Sequence, residues 1–243
     1  MTLNRRTVIG MIGVATATLA VGCRPGQSGP GWLARRRGPS GIATPPCIVR
    51  PEQTEGPYFV DERLNRSDLR SDPSDGSVKE GTALHLAIRV HEIRGNACLP
   101  LAGAMVDVWH CDALGVYSDV RDRSFDTRGK KFLRGYQLTD GEGAARFTTL
   151  YPGWYRGRTV HIHFKIRTHP EARRGFEFTS QCYFDEALTD RVHAQAPYAA
   201  KGYRTLKNAD DPIFLDGGDQ LMLHLAPAEQ GFAGAFDIGL EMT

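Results

Sequence analysis

The chain has 243 residues, 41% of them hydrophobic, which is enough for one large all-β domain or two small ones around a sizeable core. Its formal net charge is +2 and it carries no basic stripe interleaved with aromatics, so nothing in it points to nucleic acid as a partner. Its five cysteines lack the Cys-x-x-Cys pairs of a structural zinc site.

Residues 1–23 read as an export signal. Arg5 and Arg6 precede an uncharged run of small and apolar residues from Val8 to Gly22. That run falls short of the roughly 20 apolar residues that a membrane span needs, and the adjacent arginines have the twin-arginine form. Ala20-Val-Gly-Cys23 could be a lipoprotein cleavage box, making Cys23 a lipidated membrane tether; otherwise Cys23 is lost with the signal. The expected location is extracellular or in the cell envelope. Residues 24–46, rich in Gly, Pro, Ser and Arg, read as a disordered linker that includes Arg35, Arg36 and Arg37. The folded domain is expected over 47–243. In an oxidising compartment Cys47, Cys98, Cys111 and Cys182 can pair in three ways. Cys47 with Cys98 is the expected clip between the start of the domain and a strand end, with Cys111 and Cys182 paired or free.

Short alternating runs follow at 84–90, 104–109, 145–149, 159–167, 178–184, 220–225 and 234–239. Turn signals separate them, among them Arg94-Gly-Asn96, Asp140-Gly-Glu-Gly143 and Asp216-Gly-Gly-Asp219. One helix is expected over 185–195. Many short strands with almost no helical period predict an all-β fold, a β-sandwich. The connections at 115–131 and 196–215 are long, and long loops in compact domains commonly carry function. Tyr117 lies on the first, and Tyr155 on a Pro152-Gly-Trp turn just before the 159–167 strand.

In that strand Val160, Ile162, Phe164 and Ile166 share one face, and His161, His163, Lys165 and Arg167 the other. Same-face neighbours lie about 6.5–7 Å apart, so two imidazoles leaning together can close on one ion. The bland alternative is a solvated face bearing two ordinary histidines, and His-x-His also occurs in zinc and copper sites. The remaining histidines, His85, His91, His169, His193 and His224, fit surface or satisfied core positions, and His110 a buried hydrogen-bonding one. Asp107 and Asp112 could support the tyrosine loop.

Tyr117 and Tyr155 add two phenols to the two imidazoles. A phenol, with an ordinary pKa of about 10, becomes a ligand only beside a strongly Lewis-acidic ion. Two phenolates and one hydroxide offset the charge of ferric iron, and two neutral histidines complete the set. Zinc usually takes histidine, cysteine and carboxylate instead.

Three blocks carry a resemblance to the intradiol ring-cleavage dioxygenases, particularly the exported, protocatechuate 3,4-dioxygenase-like branch. They are Gln53-Thr-Glu-Gly-Pro-Tyr-Phe59, the run from Leu101 to Tyr117 that contains Asp107-Val-Trp-His-Cys-Asp-Ala-Leu-Gly-Val-Tyr117, and Tyr151-Pro-Gly-Trp-Tyr-Arg-Gly-Arg-Thr-Val-His-Ile-His-Phe164. The resemblance implies a non-haem Fe(III) centre held by Tyr117, Tyr155, His161 and His163. Its substrates would be a small catechol-type diol and O2, and its product a cis,cis-muconate-type diacid. It makes Tyr155 the ligand that leaves when the diol binds and acts as a base. Arg158 matches the family's active-site arginine and Gln181 the glutamine lining the cavity; Tyr58 and Trp154 border the substrate. One departure stands out: Gly157 occupies the place of a tryptophan found in protocatechuate enzymes, so the pocket wall differs. A homodimer, or a second subunit completing the site, is compatible with the sequence. The competing reading is an exported, noncatalytic β-sandwich that binds carbohydrate or a protein, with a degenerate or zinc-filled His-x-His site. That reading leaves both tyrosines and Arg158 without a role.

Overall fold

The computed structural model describes residues 47–168 and 175–242. The export signal, the linker, Cys23 and His169 therefore lie outside the described residues.

Strand β1 (Ala83–Arg94) alternates as the sequence predicts, burying Leu84, Leu86, Ile88 and Val90 while His85 and Arg89 stay exposed. One edge of β1 is shared end to end by two antiparallel partners. These are β5 (Ala144–Leu150) along its first half and the short β2 (Ala97–Pro100) at its end. The other edge pairs in parallel with the last strand, β9 (Phe232–Leu240), which also carries the short β8 (Leu225–Pro227). The second sheet is antiparallel in the order β4 (Arg134–Leu138), β3 (Met105–Trp109), β6 (His161–Arg167) and β7 (Glu177–Tyr183). Between the sheets lie Leu86 and Ile88 of β1, Phe147 of β5 and Phe236 of β9, with Val106 and Val108 of β3 and Ile162, Phe164 and Ile166 of β6. Each such side chain contributes roughly 1.5–3 kcal/mol by leaving water, so β6 is anchored by its apolar face whatever its polar face does. This is the predicted β-sandwich.

Helix α1 (Glu186–His193) starts where Asp185 accepts a hydrogen bond from the Leu188 amide at 2.8 Å, with Arg191 and His193 in its last turn. A second, one-turn helix α2 (Pro212–Leu215) begins at Asp211. Cys47 and Cys98 are disulfide-bonded, and Cys111 and Cys182 are free and buried.

Two expectations need correction. No strand runs through 220–225; a 3-10 turn (Gly218–Leu221) takes its start, because Gly217 enters it with a left-handed backbone, Met222 makes a lone bridge to Tyr183, and a strand resumes only at β8. Strands β2 and β4 had no expected counterpart, since β2 is a mostly exposed edge and β4 contains Arg134, Gly135 and Gln137 rather than an apolar alternation. The polar face of β6 does not follow the bland alternative of a solvated face: all seven residues are buried. The segment 51–64 crosses that face as a strap. Lys165 pairs with Glu55, Arg167 bonds Asp61 at 2.8 Å, and the Gln53 amide donates to the Thr179 carbonyl at 2.9 Å.

Candidate metal centre

His161 and His163 sit side by side at the start of β6, on the face covered by the strap. Tyr117 is delivered by the turn after β3, where Asp112 Oδ1 accepts from the amides of Leu114 and Val116, each at 3.0 Å. Asp112 Oδ2 pairs with Lys79 at 2.9 Å, so Asp112 does support the tyrosine loop. Asp107 does not: it bonds Arg167 at 2.8 Å and helps hold the strap. Tyr155 comes from the turn before β6. The two turns touch through glycines. A Cβ on Gly115 would lie 2.1 Å from the Trp154 carbonyl oxygen, and one on Gly153 2.3 Å from that of Ala113. Gly115 also has φ +77°, a left-handed backbone that L side chains rarely adopt. Only glycine at both positions lets the loops approach and bring the two phenols together.

Four donor atoms converge. His161 Nε2 lies 3.0 Å from His163 Nε2, 3.3 Å from Tyr155 Oη and 3.5 Å from Tyr117 Oη. His161 Nδ1 donates to the Thr159 carbonyl at 2.7 Å, which leaves Nε2 as a lone pair. One lone pair cannot satisfy three neighbours as a hydrogen-bond acceptor. His163 Nδ1 is buried without a partner, so either tautomer of that ring leaves a nitrogen unmatched. As a hydrogen-bond network the cluster is frustrated, whereas around a cation both Nε2 lone pairs and both phenol oxygens find a common partner. Among the described residues no group of three or more His, Cys, Asp or Glu side chains could hold a metal, so any metal here depends on the phenols.

The electrostatics agree. Burial, with help from the Arg158 charge, pushes His161 down to about 3. Burial and the neighbouring His161 push His163 well below its ordinary value. Both rings are neutral and available as ligands. Burial raises Tyr117 and Tyr155, so neither phenol ionises at neutral pH without a strong positive charge beside it. This donor set fits ferric iron and suits zinc poorly.

The cage around it is aromatic. Trp109 stacks on His163 with centroids 4.9 Å apart, and Tyr58 stacks on Tyr117 at 4.5 Å. Tyr58 also donates to Asp122 at 2.9 Å, and burial together with that bond raises its phenol to about 12. Gly56 lies against His163, whose ring carbon would stand 3.4 Å from a Cβ there. Trp154 turns away from these rings: its Nε1 donates to the Gly202 carbonyl at 3.1 Å, and the Lys201 ammonium lies over its ring. Two open cavities, of about 510 and 640 Å³, are lined by residues 190–207 and by the outer face of β1, β5 and β9. Neither wall includes the four donors, and the donor chemistry is the better guide to the site.

Arg158 and Gln181 are brought together beside the donors. Arg158 Nη2 donates to Gln181 Oε1 at 2.7 Å and to Tyr183 Oη at 3.3 Å, while Gln181 Nε2 donates to the Thr54 carbonyl at 2.9 Å. Arg158 Nε donates to Asp211 Oδ2 at 2.9 Å. Sequence reasoning passed over Asp211, Trp109 and Gly153. For Asp211 the available signal was Asp-Pro at 211–212, a helix-start pattern, but nothing in it pointed to Arg158, 53 positions earlier.

Comparison with known proteins places these features. A sequence profile described as Dioxygenase matches residues 54–209, which contain all four donors. The chain is similar to a chlorocatechol 1,2-dioxygenase of Pseudomonas putida, with 33% identity over 159 residues, 58% of this chain and 53% of that protein. The chain spans about half the length of the curated relatives it matches. Among solved structures it resembles an intradiol ring-cleavage dioxygenase from Tetranychus urticae, with TM-score 0.68 and 30% identity, covering 80% of this chain and 95% of that one. It also resembles the dioxygenase domain of a dioxygenase carbohydrate-binding protein fusion from Streptomyces sp. SirexAA-E, with TM-score 0.55 and 26% identity, covering 81% and 100%.

Proposed function

The chain belongs to the intradiol ring-cleavage dioxygenase family, and from that premise we propose that it is a non-haem Fe(III) enzyme that opens a catechol-type diol with both atoms of O2. The product is a cis,cis-muconate-type diacid. The observation that supports this most is the meeting of two phenol oxygens and the His163 Nε2 nitrogen within 3.5 Å of His161 Nε2. Tyr117, Tyr155, His161 and His163 would hold the iron.

When bound, ferric iron supplies the Lewis acidity that ionises the phenols and the electron-accepting character that makes a bound diol reactive toward dioxygen. The protein's own groups do the rest. Tyr117, 1% exposed and wedged between Tyr58 and Tyr155, is the fixed phenol. Tyr155, half-buried on its turn, is the movable one, and its Oη accepts a proton from the incoming diol. For that first of the diol's two protons no carboxylate base is required. Arg158 sets positive charge beside the substrate oxygens as they gain negative charge, and Gln181 fixes the guanidinium plane. Tyr58 and Phe125 form an aromatic wall that keeps water from the ring. The proposed setting is outside the cytoplasm, where the Cys47–Cys98 disulfide persists; the twin-arginine form of the leader supports it.

Metal analysis and visible spectroscopy of the purified protein test the reading. The expected result is iron, a burgundy phenolate-to-iron band that shifts when catechol is added under nitrogen, and oxygen uptake with a panel of catechols. Colourless, zinc-loaded protein from native purification would overturn it and favour the noncatalytic module.

A further inference from the structure

We propose that Asp211 is a positioning residue that holds the Arg158 guanidinium in its working orientation; the inference rests on the reading of Arg158 given above. The Asp211 side chain is 0% exposed and uses both oxygens. Oδ2 takes the Arg158 Nε hydrogen at 2.9 Å and the Thr159 amide at 2.8 Å, while Oδ1 takes the Ile213 amide at 2.8 Å. One carboxylate therefore ties together Thr159 in the approach to β6, the guanidinium of Arg158 next to it and the first turn of α2. A buried carboxylate with an arginine and two amides around it is a rigid mount, because each partner fixes a different direction.

The mount decides which guanidinium edge is spent. Asp211 takes Nε, Gln181 and Tyr183 take Nη2, and Nη1 makes no hydrogen bond to the described residues. Tyr183 in turn donates to Gln53 Oε1 at 2.6 Å, and Gln53 Nε2 to the Ile213 carbonyl at 2.8 Å, closing the ring of contacts back onto α2. Arg158 is thus clamped along one side, with a single N–H pair left for a ligand. α2 and the turn before it, remote in sequence from every candidate ligand, become part of the active-site framework.

Turnover in a double-mutant cycle tests this, using Asp211→Asn, Asp211→Ser and Arg158→Ala, singly and combined. Serine preserves the helix cap without the carboxylate. Misplacing a catalytic group by about 1 Å costs about a hundredfold, so kcat should fall about tenfold to a hundredfold in either Asp211 variant with KM little changed. In the Arg158→Ala background the same substitutions should cost almost nothing more. Equal losses in both backgrounds mean a merely structural carboxylate and overturn the inference. An Arg158→Ala enzyme as fast as the wild type instead overturns the role given to Arg158 itself. Phenylglyoxal labelling of the full chain, read by peptide mass spectrometry, is independent of turnover. Arg158 should react far more slowly than exposed Arg156 in the wild type, and faster once Asp211 is replaced. If neither variant accumulates folded, the wild-type labelling decides: Arg158 as reactive as Arg156 removes the mount.

Discussion

Trp109 lies flat on the imidazole of His163, with ring planes 4° from parallel and centroids 4.9 Å apart. The indole ends β3 and the imidazole sits on β6, and the two are direct partners in the sheet register. The stack fixes the rotation of a ring whose Nδ1 has no hydrogen bond to do so. We expect Trp109→Ala to fold but to retain iron about tenfold less well, as when the outer support of a metal ligand is lost, with Trp109→Phe intermediate. Adding iron to metal-free protein should quench a tryptophan emission component that Trp109→Phe lacks. Undiminished emission from Trp109 on loading would separate the indole from the metal.

The two kinds of site residue should part under substitution. Tyr117→Phe, His161→Ala and His163→Ala are expected to lose iron, measured by metal analysis after gel filtration. Arg158→Ala should keep iron and colour while kcat falls about 10²–10³-fold, the usual cost of removing one preorganised donor. An Arg158 variant that also loses its iron contradicts this division.

Stability should fall on acidification through His110. Its ring is buried and neutral, bonded to the Cys111 carbonyl at 2.8 Å and to the Thr149 hydroxyl at 2.6 Å. Burial pushes its pKa from 6.5 to about 4, with the Cys111 carbonyl and then Asp112 opposing. Between those values the unfolded chain binds the proton and the folded one does not, so stability is complete above 6.5, declines as pH falls and is lost by about 4. The full effect is on the order of 3 kcal/mol. Urea unfolding across this range should show a shallower decline for His110→Gln than for the wild type; parallel curves would exclude the assignment.

Cys47 and Cys98 are 51 positions apart, and closing a loop of that size restricts the unfolded chain. Cys98→Ala should cost about 2–4 kcal/mol in urea titration. It should leave the visible spectrum and kcat unchanged, since the bond ties the start of the domain to the edge strand β2, away from the donors. A spectral change in that variant would show that the clip shapes the metal site.

Much of this was legible in the sequence, because strict alternation reports burial directly. Ile162, Phe164 and Ile166 stand out as core and His161 and His163 as a pair pointing the other way, and the sheets bear this out. The same alternation left open what lies over the polar side of β6, because a strand's own pattern cannot announce what will cover it. The strap that does so is polar, and its contacts, such as Glu55 to Lys165, join residues far apart in the chain. Asp211 was invisible for a related reason: a carboxylate before a proline reads as a helix cap, and it is one. Its second task depends on tertiary proximity alone. Gly115 and Gly153 could have been paired by reasoning, as each follows a short polar or proline turn beside a tyrosine, but only coordinates show them touching.

Strand β6 carries cohesion on one side and the two histidine donors on the other, in strict alternation. Because the side-chain period is two, shifting its hydrogen-bonded partners along by a single residue would bury both imidazoles between the sheets and turn Ile162 and Phe164 toward the phenols. No intermediate pairing exists between those outcomes. The metal-binding function proposed for this chain would therefore be inherited as a whole number, fixed by which rung of β3 meets which rung of β6, and could not drift by degrees.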